Sequence, residues 1–131
     1  MGLTIDDQLA IQQLAARYNH AIDSGDSTSF AGAFVEDGVL DAGELVVEGH
    51  AALEQFGKSF HTSTRAPRHV ATNLVIDGHG DQATLQAYVQ MYALVGDPPH
   101  QAITASGKYA DTLSKVDGHW LFVRRTFTRD A

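Results

Sequence analysis

Two residues in this 131-residue chain have the chemistry of a proton-transfer pair. Asp23 closes an amphipathic stretch, just before Ser24-Gly25-Asp26, and His69 opens an extended one, Arg68-His69-Val70-Ala71-Thr72-Asn73-Leu74. Brought together in an apolar cavity, a carboxylate and an imidazole form a general-base dyad, because the acid orients the ring and stabilises its protonated form. The same residues also admit a plain structural arrangement. Asp23 then only ends a helix, and His69 is satisfied by backbone or by Asn73. Tyrosines supply the complementary chemistry, since a phenol in a cavity donates to a carbonyl or departing oxygen and acts as a weak general acid. Tyr18, Tyr88, Tyr92 and Tyr109 are the candidates, each with packing as its alternative.

Placing these groups requires helices first and strands after. Thr4 with Asp7 predicts an N-terminal cap, and a helix follows to about Ser24. At 100° per residue, Ile11, Leu14, Ala15, Tyr18, Ala21 and Ile22 share an apolar stripe, with Arg17 and His20 on the opposite strip. Asp23 shares a flank with Ile5, Leu9, Ala16 and Asn19, predicting that this flank also faces protein. A second helix is predicted from a Ser27 or Thr28 cap through Phe34. A short strand near Val39-Leu40 pairs with Leu45 to Val47, and a third helix covers about His50 to Phe60. After Arg65-Ala66-Pro67 the pattern turns extended, with strands over 68–76, 83–95, 102–116 and 120–128. Asp77-Gly78-His79-Gly80 and Asp117-Gly118 read as hairpin turns, and Gly96-Asp97-Pro98-Pro99 as a wider one. Alternation puts His69, Ala71, Asn73 and Val75 on one face, Tyr88 and Tyr92 together on another, and Tyr109 beside Ala105, Gly107 and Asp111. The expected class is α+β, a cone of three N-terminal helices on a strongly curved, mostly antiparallel sheet, built as one domain over residues 1–131.

Composition removes several functions. A formal charge of -7 disfavours a nucleic-acid surface, which depends on clustered Lys and Arg. Without cysteine there is no disulfide, thiolate nucleophile or Cys-ligated metal. No His-x-His or His-Glu-x-x-His spacing occurs, so no metal is expected. No dinucleotide or phosphate loop and no serine elbow occurs, so no cofactor is expected either. No apolar run reaches membrane-span length, and a cytoplasmic location is the expectation.

As a set, Ala10-Ile11-Gln12-Gln13-Leu14, Asp23, Gly25-Asp26, Phe34, Asp37, Arg68-His69, Thr72-Asn73-Leu74, Gly107, Tyr109, Asp117-Gly118-His119-Trp120-Leu121-Phe122 and Arg125 resemble the SnoaL-like branch of the nuclear transport factor 2-like superfamily. The resemblance covers nearly the whole chain. It includes scytalone dehydratase, a dehydrochlorinase and bile-acid dehydratases, which pair a first-helix acid with a strand histidine. The matching positions here are Asp23 and His69. Tyr18 matches a tyrosine of the bile-acid dehydratases, although an ideal helix sets it roughly 140° from Asp23. Met91 stands where those enzymes carry a further acid. Arg125 matches a dehydrochlorinase arginine, either a leaving-group contact or structural. The resemblance implies a homodimer, or else a homotrimer, buried through the outer sheet face.

These readings lead to a cofactor-independent lyase or isomerase acting on a small, largely apolar, oxygenated substrate. Asp23, His69 and Tyr18 are expected to be catalytic, and Tyr88, Tyr92, Tyr109, Asn73 and Arg125 to bind substrate. The alternatives are a non-catalytic ligand-binding or assembly module and a polyketide cyclase, both on the same fold.

Overall fold

The first helix begins where Thr4 and Asp7 cap each other. Thr4 Oγ1 accepts from the Asp7 N–H at 3.0 Å, and Asp7 Oδ2 accepts from the Thr4 N–H at 3.1 Å. In the computed structural model, which describes residues 2–131, helix α1 spans Ile5–Ser24. It stops at Gly25, whose φ of 81° is left-handed and whose Cβ, if present, would lie 2.7 Å from the His61 ring. Asp26 then caps α2 (Ser27–Gly32), accepting from the Ser29 N–H at 3.1 Å.

The helical pattern through Phe34 does not persist. Phe34 opens strand β1 (Phe34–Asp41), because the Phe122 N–H donates to Ala33 O at 2.9 Å and Phe34 pairs in parallel register with Phe122. A long-range pairing outweighs the local preference. The chain continues through β2 (Val46–Glu48), α3 (His50–Ser63), β3 (Arg68–His79), β4 (Gln82–Val95), β5 (His100–Val116) and β6 (His119–Arg129). The strands form one sheet in the order β2-β1-β6-β5-β4-β3, antiparallel except for β1 against β6. This is the expected α+β class: three helices on a curved, mostly antiparallel sheet that stays open, with β2 and β3 as its edges.

Bulges decide which side chains face inward. Thr72 pairs with Tyr88 and Val75 with Gln86, so Asn73 and Leu74 together oppose Ala87. Asn73 takes a φ of 56° there, a left-handed value that asparagine tolerates. The bulge breaks the predicted alternation. His69 and Ala71 lie inward before it, and Leu74 and Ile76 pack on the core after it, which turns Asn73 and Val75 outward. Further bulges fall between Met91 and Tyr92 and between Thr112 and Leu113, leaving Thr104 and Val123 as the extra residues. The first hairpin turn also sits later than its glycines predict. His79 pairs with Gln82, so the turn is Gly80-Asp81, and Gly78 lies in the strand with its missing Cβ facing Gln82 O.

The core lies between α1, α2 and the inner sheet face. Tyr18, Phe30, Phe34 and Phe122 form its centre, with ring centroids 5.1–6.0 Å apart. At the far end of α1, Asp7 Oδ1 accepts from Trp120 Nε1 at 3.0 Å and from Lys115 Nζ at 3.1 Å, tying the helix to the last hairpin. The predicted protein-facing flank of α1 is covered only at its C-terminal end. Asn19 and Asp23 meet β3, while Ile5 and Leu9 remain exposed. No helix among the described residues is long and apolar enough to cross a membrane.

Candidate active site

As an edge strand, β3 has backbone N–H groups with no ladder partner on its outer side, and the last turn of α1 supplies one. Asp23 Oδ2 accepts from the His69 N–H at 2.9 Å. Its other oxygen, Oδ1, lies 2.6 Å from His69 Nδ1. One carboxylate thus holds both the main chain and the ring of the same residue. With Asp23 ionised, Nδ1 carries the proton and Nε2 keeps the lone pair, which is the tautomer a general base needs. The Phe60 ring packs against the imidazole at a centroid distance of 5.5 Å. The two side chains are 13% and 12% exposed, so the pair is shielded without being sealed.

The His69 ring borders a cavity of about 200 Å³ on the concave side of the sheet. Ile22, Leu40, Phe56, Val89 and Phe127 give it an apolar wall, and its polar groups come from His69, Tyr18, Tyr109 and Arg129. An apolar cavity of about 150 Å³ accommodates benzene, so this one suits one ring with substituents or two small fused rings. The geometry also removes the angular conflict on α1. Asp23 does not line the cavity; it reaches sideways to β3, while Tyr18 and Ile22 face the cavity directly. The imidazole spans the gap between the two flanks of the helix.

The remaining sequence-derived candidates divide. Tyr109 lines the cavity beside Tyr18, with ring centroids 6.2 Å apart. Tyr88 is 54% exposed on the outer sheet face, and Tyr92, four residues further along β4 on the same face, is absent from the cavity wall. Asn73 is turned outward by its bulge. Met91, opposite His69 in the β3–β4 ladder, lines the cavity.

A SnoaL-like domain model matches residues 3–126. The chain belongs to the SnoaL-like family. Among solved structures, this SnoaL-like protein is similar to the function-unknown protein Rv3472 of Mycobacterium tuberculosis, at 31% identity and a TM-score of 0.91, over 97% of this chain and 78% of that one. A protein of unknown function with a cystatin-like fold from Nostoc punctiforme is 29% identical, with a TM-score of 0.86 over 99% and 96% of the two chains. A third, from Novosphingobium aromaticivorans, is named scytalone dehydratase by assignment only. It is 26% identical with a TM-score of 0.86, over 97% of this chain and 86% of that one. Comparison with curated proteins returns no match.

In this SnoaL-like chain Arg125 lies behind the tyrosines, away from the cavity surface. It is fully buried, with Nε and NH2 each 3.0 Å from an oxygen of Asp111, its cross-strand partner. Its guanidinium sits 3.5 Å from the Tyr109 ring centroid and 4.4 Å from those of Tyr18 and Phe122. Burial lifts the Asp111 carboxyl above its ordinary range, against the pull of Arg125. Burial opposes the Arg125 charge, but Asp111 and the two phenols hold it in place. Burial also pushes both phenols upward, Tyr18 well above the usual tyrosine value, while Arg125 pulls each back. Tyr18 and Tyr109 therefore enter the cavity as neutral hydrogen-bond donors at physiological pH. Alternation puts Asp111 on the face of Tyr109, but its pairing with Arg125 depends on strand register, which the sequence pattern does not give. Sequence reading passed over Arg129, although steps of two from Arg125 lead through Phe127 to Arg129.

Proposed function

We propose that the protein is a cofactor-independent lyase of the dehydratase type, acting on a ring compound that carries a hydroxyl or carbonyl group. The observation that carries this reading is the Asp23–His69 pair, 2.6 Å apart and opening on an apolar cavity with two buried phenols. His69 Nε2 takes a proton from a carbon next to a carbonyl. Asp23 holds the ring tautomer and stabilises the imidazolium that forms. Tyr18 or Tyr109 donates to the developing enolate oxygen or to the departing hydroxyl. SnoaL-like membership and the likeness to a protein assigned as scytalone dehydratase support a dehydratase- or cyclase-type activity. Cyclisation draws on the same base, with the carbanion attacking a second carbonyl, and product analysis separates the two reactions.

The test is exchange of carbon-bound hydrogen. Small cyclic hydroxyketones are incubated with the enzyme in D2O and followed by proton NMR. Exchange or water loss is expected with the wild type and lost in His69→Ala. Exchange that survives unchanged in His69→Ala defeats the proposal. A non-catalytic ligand holder is the second reading, favoured by the apolar Met91 opposite His69. It predicts ring-compound binding with no exchange. A second copy of the chain is the proposed partner, meeting this one through the outer sheet face, where Val70, Val75, Tyr88 and Ile103 are exposed.

A further inference from the structure

We infer that Arg129 selects the substrate, and that the substrate carries a carboxylate at the end of the molecule facing the cavity mouth. This rests on the reading above only in taking the cavity as the substrate site. Past the bulge at Val123, the inward positions of β6 are Arg125, Phe127 and Arg129. They stand opposite Asp111, Tyr109 and Gly107 of β5. Arg125 thus meets an acid and Phe127 an aromatic ring, but Arg129 meets a residue with no side chain.

That gap is built. A Cβ on Gly107 would lie 2.8 Å from a Phe127 ring carbon and 2.2 Å from Thr128 O, so this position admits only glycine. Beyond it, Ala105 and Ala42 keep the wall low. Arg129 NH2 donates to Thr104 O, the carbonyl of the extra residue in the β5 bulge, at 2.6 Å. One guanidinium edge is thereby anchored, which orients the group at little further entropic cost when a ligand arrives.

Charge completes the argument. No Asp or Glu lines the cavity, and Arg129 has no carboxylate within ion-pair distance among the described residues. The neighbouring acid, Asp130, accepts from Ser106 Oγ at 3.0 Å. The other two arginines of β6 behave differently from Arg129: Arg125 is bound to Asp111, and Arg124 to Asp41 at 2.5 Å. Phe56, Phe60, Phe127 and Arg129 line the same cavity, so a ring held among the phenylalanines can carry a substituent that meets Arg129. A carboxylate there gains a charge-assisted hydrogen bond in a partly shielded setting, which a hydroxyl of the same shape does not.

Calorimetric titration with naphthoate and with the neutral, similarly shaped naphthalenemethanol tests this directly. Arg129 is exposed, so Arg129→Gln is expected to fold normally. The wild type is expected to favour naphthoate by about three- to tenfold, a range set by partial solvent screening at the mouth. Arg129→Gln should lose that preference while keeping its affinity for the alcohol. Three outcomes overturn the inference: equal affinities in the wild type, no measurable binding of either compound, or a preference for the acid that survives in Arg129→Gln. The readout is binding, so a failed dyad, seen as exchange persisting in His69→Ala, leaves this test intact. Failure of the Arg129 test likewise leaves the dyad untouched.

Discussion

Two of the molecule's acid–base pairs are of opposite design. Asp23 and His69 join the end of α1 to an edge strand and open on a cavity. Asp111 and Arg125 join two central strands, with both side chains at 0% exposure under three aromatic rings. In the first pair the His69 ring borders the cavity. In the second, the guanidinium never deprotonates and no substrate reaches it, so its influence passes through the tyrosines above it. Acid–base pairs of similar type thus differ in one respect: the first borders a cavity, where the proposed reaction places it, and the second is sealed in the core.

The comparison breaks most sharply at Arg125. Arg125→Met leaves Asp111 buried without its partner and should destabilise the fold by about 3–5 kcal/mol in urea titrations. Adding Asp111→Leu should recover much of that loss, because an apolar pair removes the stranded charge. A single variant as stable as the wild type would mean that the pair contributes nothing to the core.

The open pair should respond the other way. His69→Ala and Asp23→Asn are expected to change stability by only about 1 kcal/mol, while lowering turnover by about 10²- to 10⁴-fold. Denaturation and the exchange assay on the same preparations separate these effects. Tyr18→Phe removes one donor beneath the reacting oxygen and should lower the exchange rate on the order of 10²-fold. If the binding constant moves instead of the rate, Tyr18 holds substrate without acting on the transition state.

Surface acids sharpen the contrast through pH. The Asp7 carboxyl is held far below its ordinary value, chiefly by the Thr4 N–H, with Trp120 and Lys115 adding to it. Asp41 is lowered by the Gly43 N–H and Arg124, and Asp26 by Ser29. Groups depressed in the folded state contribute stability that is present above the ordinary carboxylate pKa and lost as pH falls toward the folded value. Melting temperature should therefore hold steady from neutral pH to about 5 and decline below about 4. Asp7→Asn should be less stable at neutral pH and decline less steeply. The smallest effect belongs to the outer face. Tyr88→Lys should leave melting unchanged within about 0.5 kcal/mol and shift sedimentation toward the monomer.

Much of this was legible in the chain. The Thr4–Asp7 box, the glycine stop at residue 25 and the apolar stripe of α1 are local signals, and each appears where expected. The long strands follow from alternation to within a few residues at their ends. The inward side of β3 beyond Thr72 was not legible, because a bulge exchanges faces and its signal is only an asparagine able to adopt positive φ. Tyr88 and Tyr92 were correctly paired on one face, but alternation alone does not say which face is concave.

Sequence by itself determined the order of helices and strands, the absence of thiol chemistry, and the two residues able to form a dyad. These depend on residue type and on periodicities of 3.6 and 2, which act over a few neighbours. Tertiary structure decided which groups meet. It set Asp23 at 2.6 Å from a residue 46 positions away, sealed Arg125 against Asp111, and left Arg129 facing a glycine. Those outcomes depend on strand register and on bulges, where a one-residue shift reverses every side chain, and only the folded sheet selects among the possible shifts.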